Sequence, residues 1–241
     1  MTRTDFHSHI LPKLDDGAAD VNESVKLLDI LKSDGITRVI ATPHLYLHKH
    51  SLEDFLRARE RSALSLFEAI KGRGYPEILL GAEVYFSPAL GELPLRELCV
   101  AGTDYMLLEL PYQSFSSAFM RSFSNFMSEC NVNIILAHIE RYFELNKPEI
   151  MDELLSYDVL TQANCDSLTV SRDRRKILKL IGSGKIQLLG TDLHSVKRRP
   201  PVFGDAEKII AKKLSPEAFE KMMTAAEMTV KNEDIYDILS M

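Results

Sequence analysis

Short apolar runs recur along the chain, and each gives way to a polar residue with coordinating or catalytic chemistry. Ile36-Thr37-Arg38-Val39-Ile40-Ala41-Thr42-Pro43 ends in His44, and Ile78-Leu79-Leu80-Gly81-Ala82 ends in Glu83. Tyr105-Met106-Leu107-Leu108 ends in Glu109, and Val132-Asn133-Ile134-Ile135-Leu136-Ala137 ends in His138. Val159-Leu160-Thr161-Gln162-Ala163 ends in Asn164, and Ile186-Gln187-Leu188-Leu189-Gly190-Thr191 ends in Asp192-Leu193-His194. With Asp5-Phe6-His7-Ser8-His9 at the start, these make seven strand candidates. In a strand, positions i and i+2 share a face, so His7 and His9 converge. Polar chemistry gathered at the C-terminal ends of strands is the mark of a parallel α/β barrel.

Helical patterns fill the gaps. Asp20-Val21-Asn22-Glu23 has capping-box spacing before Val25, Leu27, Leu28, Ile30 and Leu31, and Gly35 is placed to stop that helix. Ser51 opens a second helix that Gly72 ends, and Phe119, Phe123, Phe126 and Met127 form the stripe of a third. A fourth is expected over Leu145 to Leu155 with Pro148 near its start, and a fifth over Leu168 to Ile181. Two more follow Pro200-Pro201, the second opened by Ser215-Pro216. Helices between strands impose crossovers and therefore parallel strands. At 241 residues the chain has the length of one such barrel. Because the polar strand ends run from His7 to His194, residues 1–241 are expected to form a single domain.

Composition narrows the function. A net charge of −6 argues against a general nucleic-acid binder. No apolar run approaches the roughly 20 residues needed to span a bilayer, and no signal peptide precedes the first strand. Three cysteines without paired spacing, Cys99, Cys130 and Cys165, fit a reducing cytoplasm. Cys165 is not followed by the Cys-x5-Arg loop of thiol phosphatases, since position 171 is Ser171. Lys197-Arg198-Arg199 directly follows the last strand, at the rim of the expected site. Arg172 to Lys176 lies on an expected helix and reads as a solvated face.

His7, His9, Asp16, His44, Glu83, Glu109, His138, Asp192 and His194 give five imidazoles and four carboxylates. One ion takes four to six ligands, so nine suit a cluster of two or three. Any one of them alone reads equally well as a buried salt-bridge partner or a hydrogen-bonded core histidine. Nine costly buried polar groups at one end of one barrel do not. Nitrogen and oxygen donors without thiolate favour Mn, Fe or Zn in a non-structural site. Three divalent ions against four carboxylates would leave a charge of about +2, suited to a phosphate dianion. Spacing does not separate Asp15 from Asp16 as a donor. His48 and His50, on the loop after His44, read as solvent-facing, and Asn164 either serves the site or ends its strand.

His7-Ser8-His9-Ile10-Leu11-Pro12, Asp15-Asp16-Gly17-Ala18, Thr42-Pro43-His44, Gly81-Ala82-Glu83-Val84-Tyr85, Leu136-Ala137-His138-Ile139-Glu140-Arg141-Tyr142 and Thr191-Asp192-Leu193-His194 resemble the polymerase and histidinol phosphatase family. More narrowly, they resemble the bacterial tyrosine phosphatases of capsule and exopolysaccharide clusters. The resemblance runs from about Asp5 to Pro201 and implies a distorted (β/α)7 TIM-like barrel with three divalent metal ions, manganese first. It implies one ion on His7, His9, Glu83 and Asp192, and a second sharing Glu83 with Glu109 and His138. The third falls on Asp16, His44 and His194. It also chooses Asp16 over Asp15, and gives Arg141 and Arg199 the task of holding phosphate. The implied substrate is a phosphotyrosine protein, the tail of a bacterial tyrosine autokinase, hydrolysed without a cysteinyl-phosphate. The rival expectations are a small-molecule phosphatase, for example on histidinol phosphate, and a non-catalytic scaffold. The loop Leu45 to His50 and the tail from Thr224 to Met241 match no family pattern.

Overall fold

Each of the seven apolar runs carries strand in the computed structural model, which describes residues 2–169, 172, 174–197, 199 and 201–241. The strands are β1 (Thr4–Ser8), β2 (Arg38–Ala41), β3 (His44–Leu45), β4 (Glu77–Leu80), β5 (Glu83–Tyr85), β6 (Tyr105–Glu109), β7 (Asn133–Leu136), β8 (Val159–Asn164) and β9 (Leu188–Gly190). Every pairing is parallel, in the orders β1-β2-β4 and β3-β5-β6-β7-β8-β9. Two expected strands are each broken in two, at Thr42-Pro43 and at Gly81-Ala82. Proline has no N–H for the ladder, which accounts for the first break. Backbone bonds from Gly81 N to Ala41 O and from Glu83 N to Pro43 O, at 2.8 and 3.0 Å, carry the pairing across it. On the other side, Asp192 N donates to His7 O and His9 N donates to Leu193 O, at 2.8 and 3.0 Å, tying the last strand to the first. The result is the expected α/β fold with a curled parallel sheet. Among the described residues its ladder consists of nine strand segments in place of seven unbroken strands.

The helices are α1 (Val21–Ser33), α2 (Leu52–Ile70), α3 (Ser117–Glu129), α4 (Glu140–Leu145), α5 (Pro148–Leu154), α6 (Cys165–Thr169), α7 (Arg174–Gly182), α8 (Phe203–Lys213), α9 (Pro216–Val230) and α10 (Ile235–Leu239). Caps decide the starts. Asp20, Ser51 and Ser215 accept from the N–H groups of Glu23, Asp54 and Ala218, three residues on in each case. Gly35, past the end of α1, has φ of +80°, where a side chain would be strained. Two expected helices come out differently. The fourth is α5, preceded by an additional short helix, α4, which is separated from β7 by three residues and carries Arg141; the fifth is split into α6 and α7. Val170, Ser171 and Asp173, from the middle of that fifth helix, lie outside the described residues, as do Met1, Arg198 and Pro200.

The apolar core has two parts. Alternate strand residues, among them Phe6, Ile40, Leu107, Ile135, Leu160 and Leu188, form an inner cluster with Ala225, Ala226, Ile235 and Ile238. The remaining apolar strand residues pack outward against the helices. The C-terminal tail therefore packs on the barrel: α9 and α10 contribute buried residues to the inner cluster, and the Tyr105 hydroxyl donates to Glu233 O at 2.6 Å. No helix of the described residues is long and apolar enough to cross a membrane.

Candidate metal centre

The sheet delivers its polar strand ends to one place. His7 Nε2 lies 3.2 Å from His9 Nε2, the convergence expected of residues two apart in extended chain. Glu83 sits between them and the next imidazoles. Its Oε2 is 3.2 Å from His7 Nε2, 3.3 Å from His9 Nε2 and 2.8 Å from His44 Nδ1. Its Oε1 is 2.8 Å from His138 Nε2, which in turn is 3.4 Å from Glu109 Oε1. Asp192 Oδ1 lies 3.4 to 3.6 Å from His9, His7 and His194. Asp16 Oδ1 is 3.6 Å from His44 Nε2 and 3.4 Å from His194 Nε2. All nine candidate donors from the sequence thus fall in one cluster.

Among the described residues, three subsets have donor atoms close enough to share an ion: His9, Asp16, His44 and His194; His7, His9 and Glu83; and His44, Glu83 and Glu109. They overlap the partition implied by resemblance without matching it. His9 joins the Asp16 group, and His44 stands beside Glu109 where His138 was placed.

Three carboxylate oxygens here, Glu83 Oε2, Glu109 Oε2 and Asp192 Oδ1, are buried and make no hydrogen bond of acceptable geometry among the described residues, although imidazole nitrogens crowd Glu83 Oε2 and Asp192 Oδ1. Leaving such an atom unsatisfied costs about 1–3 kcal/mol, more when it is charged. Cations among these donors would remove that cost, so the residues present fit divalent metal ions. The imidazoles alone already respond to the acids. Burial works against charging His138, yet Glu109 and Glu83 outweigh it and carry its pKa up to about 9. Burial likewise opposes ionisation of Glu83, but His7, His138 and His44 hold it well below the usual carboxylate range.

A supporting layer fixes the donors. Asp15 Oδ2 accepts from His9 Nδ1 at 2.7 Å and from the His44 N–H at 3.1 Å, while its Oδ1 accepts from the Gly17 N–H. Desolvation would raise its pKa, but His9 and these N–H groups bring it down to about 2. Asp15 therefore orients His9, while the more exposed Asp16 points its oxygen at His44 and His194. Gln162, which the sequence did not single out, takes His7 Nδ1 at 3.1 Å and the His138 N–H at 2.9 Å on one oxygen. Its amide nitrogen donates to Asn164 Oδ1, and Asn164 Nδ2 donates to Asp192 Oδ2 at 2.8 Å. Outer partners of this kind fix ring tautomer and orientation. Asp5, also unflagged, is fully buried and accepts from the Thr191 N–H and hydroxyl at 2.7 and 2.6 Å. It holds the β9 end against β1; burial lifts its pKa to about 6. Only alternation in β8 could have flagged Gln162, because an inward residue just below Asn164 must be polar to meet the donors.

Backbone geometry is tight here. His138, Asp192 and Arg199 have φ of +35°, +50° and +51°. Such left-handed backbone at non-glycine residues persists where surrounding structure imposes it, commonly at functional sites. At Gly190 a Cβ would lie 2.4 Å from His7 Cβ, so only glycine lets β9 pass His7 this closely.

Arg141 Nη2 and Arg199 Nη1 both donate to Asp192 Oδ2, at 2.7 and 3.1 Å. Beside them opens a cleft of about 740 Å³ lined also by Glu140, Asn164, Asp166 and Arg172. On the other flank, Tyr46 lies 5.1 Å from the His44 ring and 5.4 Å from the Tyr85 ring, with Lys49 Nζ 4.3 Å above it. His48 and His50 face solvent and belong to none of the donor groups above. All three cysteines are free, and Cys165 is buried, its thiol pushed well above the ordinary range by desolvation. A thiolate nucleophile does not fit this site.

The family model for capsular polysaccharide synthesis, CpsB/CapC, matches residues 3–231. The chain belongs to the CpsB/CapC family. Tyrosine-protein phosphatase CpsB of Streptococcus agalactiae serotype III (strain NEM316) is 26% identical over 243 residues, covering 96% of this chain and 99% of that relative. Tyrosine-protein phosphatase YwqE of Bacillus subtilis (strain 168) is 27% identical over 240 residues, covering 96% and 93%. Among solved structures, one reported with YwqE from Bacillus subtilis and CpsB from Streptococcus pneumoniae, described as metal-dependent tyrosine phosphatases, superposes with a TM-score of 0.81. It is 22% identical and covers 96% of this CpsB/CapC chain and 95% of its own. Histidinol phosphate phosphatase from Lactococcus lactis, complexed with zinc, L-histidinol and phosphate, matches at a TM-score of 0.50 and 12% identity over 93% of this chain and 94% of its own. At these identities the likeness is one of fold.

Proposed function

We propose that this chain is a metal-dependent phosphomonoesterase that hydrolyses phosphotyrosine in protein. The observation that carries the proposal is the set of three buried carboxylate oxygens that make no hydrogen bond among the described residues, inside a cluster of nine donors with two arginines at its edge. The family's place in capsular polysaccharide synthesis supports a tyrosine autokinase controlling polysaccharide export, through its tail, as the substrate. The absence of paired cysteines supports action in the cytoplasm, with residues 1–241 working as one domain.

His7, His9, Asp16, His44, Glu83, Glu109, His138, Asp192 and His194 would hold three divalent ions, manganese first, with iron or zinc as alternatives. Bound divalent ions supply Lewis-acid charge and lower the pKa of water, which lets water attack a phosphoryl group at neutral pH. Arg141 and Arg199 hold the phosphate. Each commits one terminal nitrogen to Asp192, which fixes the guanidinium and leaves further N–H donors for equatorial phosphate oxygens. Asp15 and Gln162 keep the imidazoles of His9 and His7 turned inward. Tyr46 and Tyr85 offer an aromatic wall for the ring of a phosphotyrosine. A tyrosine phenolate, with a pKa of about 10, leaves more readily than a serine alkoxide.

Turnover on matched phosphotyrosine and phosphoserine peptides, with histidinol phosphate alongside, tests this. The phosphotyrosine peptide is expected to be hydrolysed fastest. Faster turnover of histidinol phosphate would move the assignment to a small-molecule phosphatase.

A further inference from the structure

We propose that the cationic face of α7 is a docking groove for acidic residues flanking the substrate's phosphotyrosine. This inference rests on the phosphatase function proposed above and names the kind of peptide that site takes. A second open cleft, of about 950 Å³, is lined by Arg172, Arg174, Arg175, Lys176, Lys179 and Lys213, with Leu178 as its apolar member. Its six basic side chains form no ion pair among the described residues, and of them Arg174 donates to the Thr169 carbonyl. Asp173, outside those residues, offsets one charge in sequence. So dense a basic patch is notable on a chain whose net charge is −6.

Position gives the patch its meaning. A helix that links parallel strands runs antiparallel to them, so the N-terminus of α7 lies at the metal-bearing end of the sheet. Arg172 lines both this cleft and the one that holds Arg141 and Arg199. The two clefts therefore adjoin at Arg172, which stands between the phosphate-holding arginines and the basic row of α7. Arg174 to Lys179 covers about 7.5 Å of helix at 1.5 Å per residue. With Arg172 added, the groove accommodates about three extended residues at roughly 3.4 Å each. Lys176 lies 4.6 Å over the Phe143 ring, which places its charge against α4, the helix that carries Arg141. An acidic segment leaving the metal centre would run along this row. A lipid surface would need no cleft adjoining the metal centre, so the shared Arg172 favours the peptide.

The test compares KM for two phosphotyrosine peptides, one with glutamates on both sides and one with glutamines in their place. It uses wild type and a variant carrying Arg175→Gln, Lys176→Gln and Lys179→Gln. For wild type the acidic peptide is expected to have the lower KM, and raising salt should erase the difference. In the variant, KM for the acidic peptide should rise roughly 3- to 100-fold, with kcat and turnover of free phosphotyrosine unchanged. Equal wild-type KM values for the two peptides at low salt would overturn the proposal, whether or not the variant folds. Unchanged peptide KM values in a variant that loses wild-type binding to phosphatidylglycerol vesicles would assign the face to lipid and also overturn it. Wild type failing to hydrolyse free phosphotyrosine would instead count against the phosphatase function itself.

Discussion

His138→Ala is expected to cut phosphatase turnover by at least roughly 100-fold, the upper end of losses seen when even an outer partner of a metal ligand is removed. Cys165→Ser is expected to leave most of the activity. The contrast follows from position. His138 Nε2 lies 2.8 Å from Glu83 and 3.4 Å from Glu109, inside the donor cluster, and its left-handed backbone holds it there. Cys165 is buried in the outer core, and its thiol is held protonated by desolvation. A phosphopeptide assay on both variants, with circular dichroism confirming that each is folded, checks the order. Loss of activity in Cys165→Ser alone would return the chemistry to a thiol nucleophile.

Arg199→Ala and Arg141→Ala are each expected to lower turnover by roughly 10- to 1000-fold, the range for removing one transition-state donor. The donor cluster should survive in both. Asp192 Oδ2 loses one guanidinium contact but keeps the Asn164 amide at 2.8 Å, so the loss should appear in turnover with the metals still bound. Arg199→Lys should not fully restore activity, because an ammonium lacks the planar fork that meets two phosphate oxygens at once. Parallel kinetics and elemental analysis separate the alternatives. If the alanine variants lose metal in proportion to activity, the arginines are supports for Asp192 and not phosphate holders.

The sequence made the site's address legible before its geometry. Strand alternation and the polar residue closing each apolar run were enough to bring His7, His44, Glu83, Glu109, His138 and Asp192 to one end of a parallel sheet. What alternation cannot encode is which neighbour a side chain meets. Asp15 and Asp16 are equivalent in pattern. Only the folded loop shows Asp15 bonded to His9 and two backbone N–H groups while Asp16 reaches His44 and His194. Gln162 and Asp5 escaped notice because residues that orient a ligand carry no motif of their own; they are recognised by the atoms they hold. The fifth helix is expected as one element, although six polar residues from Ser171 to Lys176 interrupt its apolar pattern, and Arg172 lies in a turn between α6 and α7. The tail was unreadable for a further reason. Ile235 and Ile238 complete an interior whose other members come from strands far away in sequence.

Metal content read against turnover is the most direct test of the central claim, that these nine residues hold divalent ions used in phosphotyrosine hydrolysis. Protein purified under metal-replete conditions is analysed for transition metals, stripped with a chelator, and assayed on a phosphotyrosine peptide before, after and on re-addition of manganese. About three ions per chain are expected at saturation for a nine-donor set, with turnover lost on stripping and recovered on re-addition. Protein with no bound transition metal whose turnover is unaffected by the chelator would contradict the account.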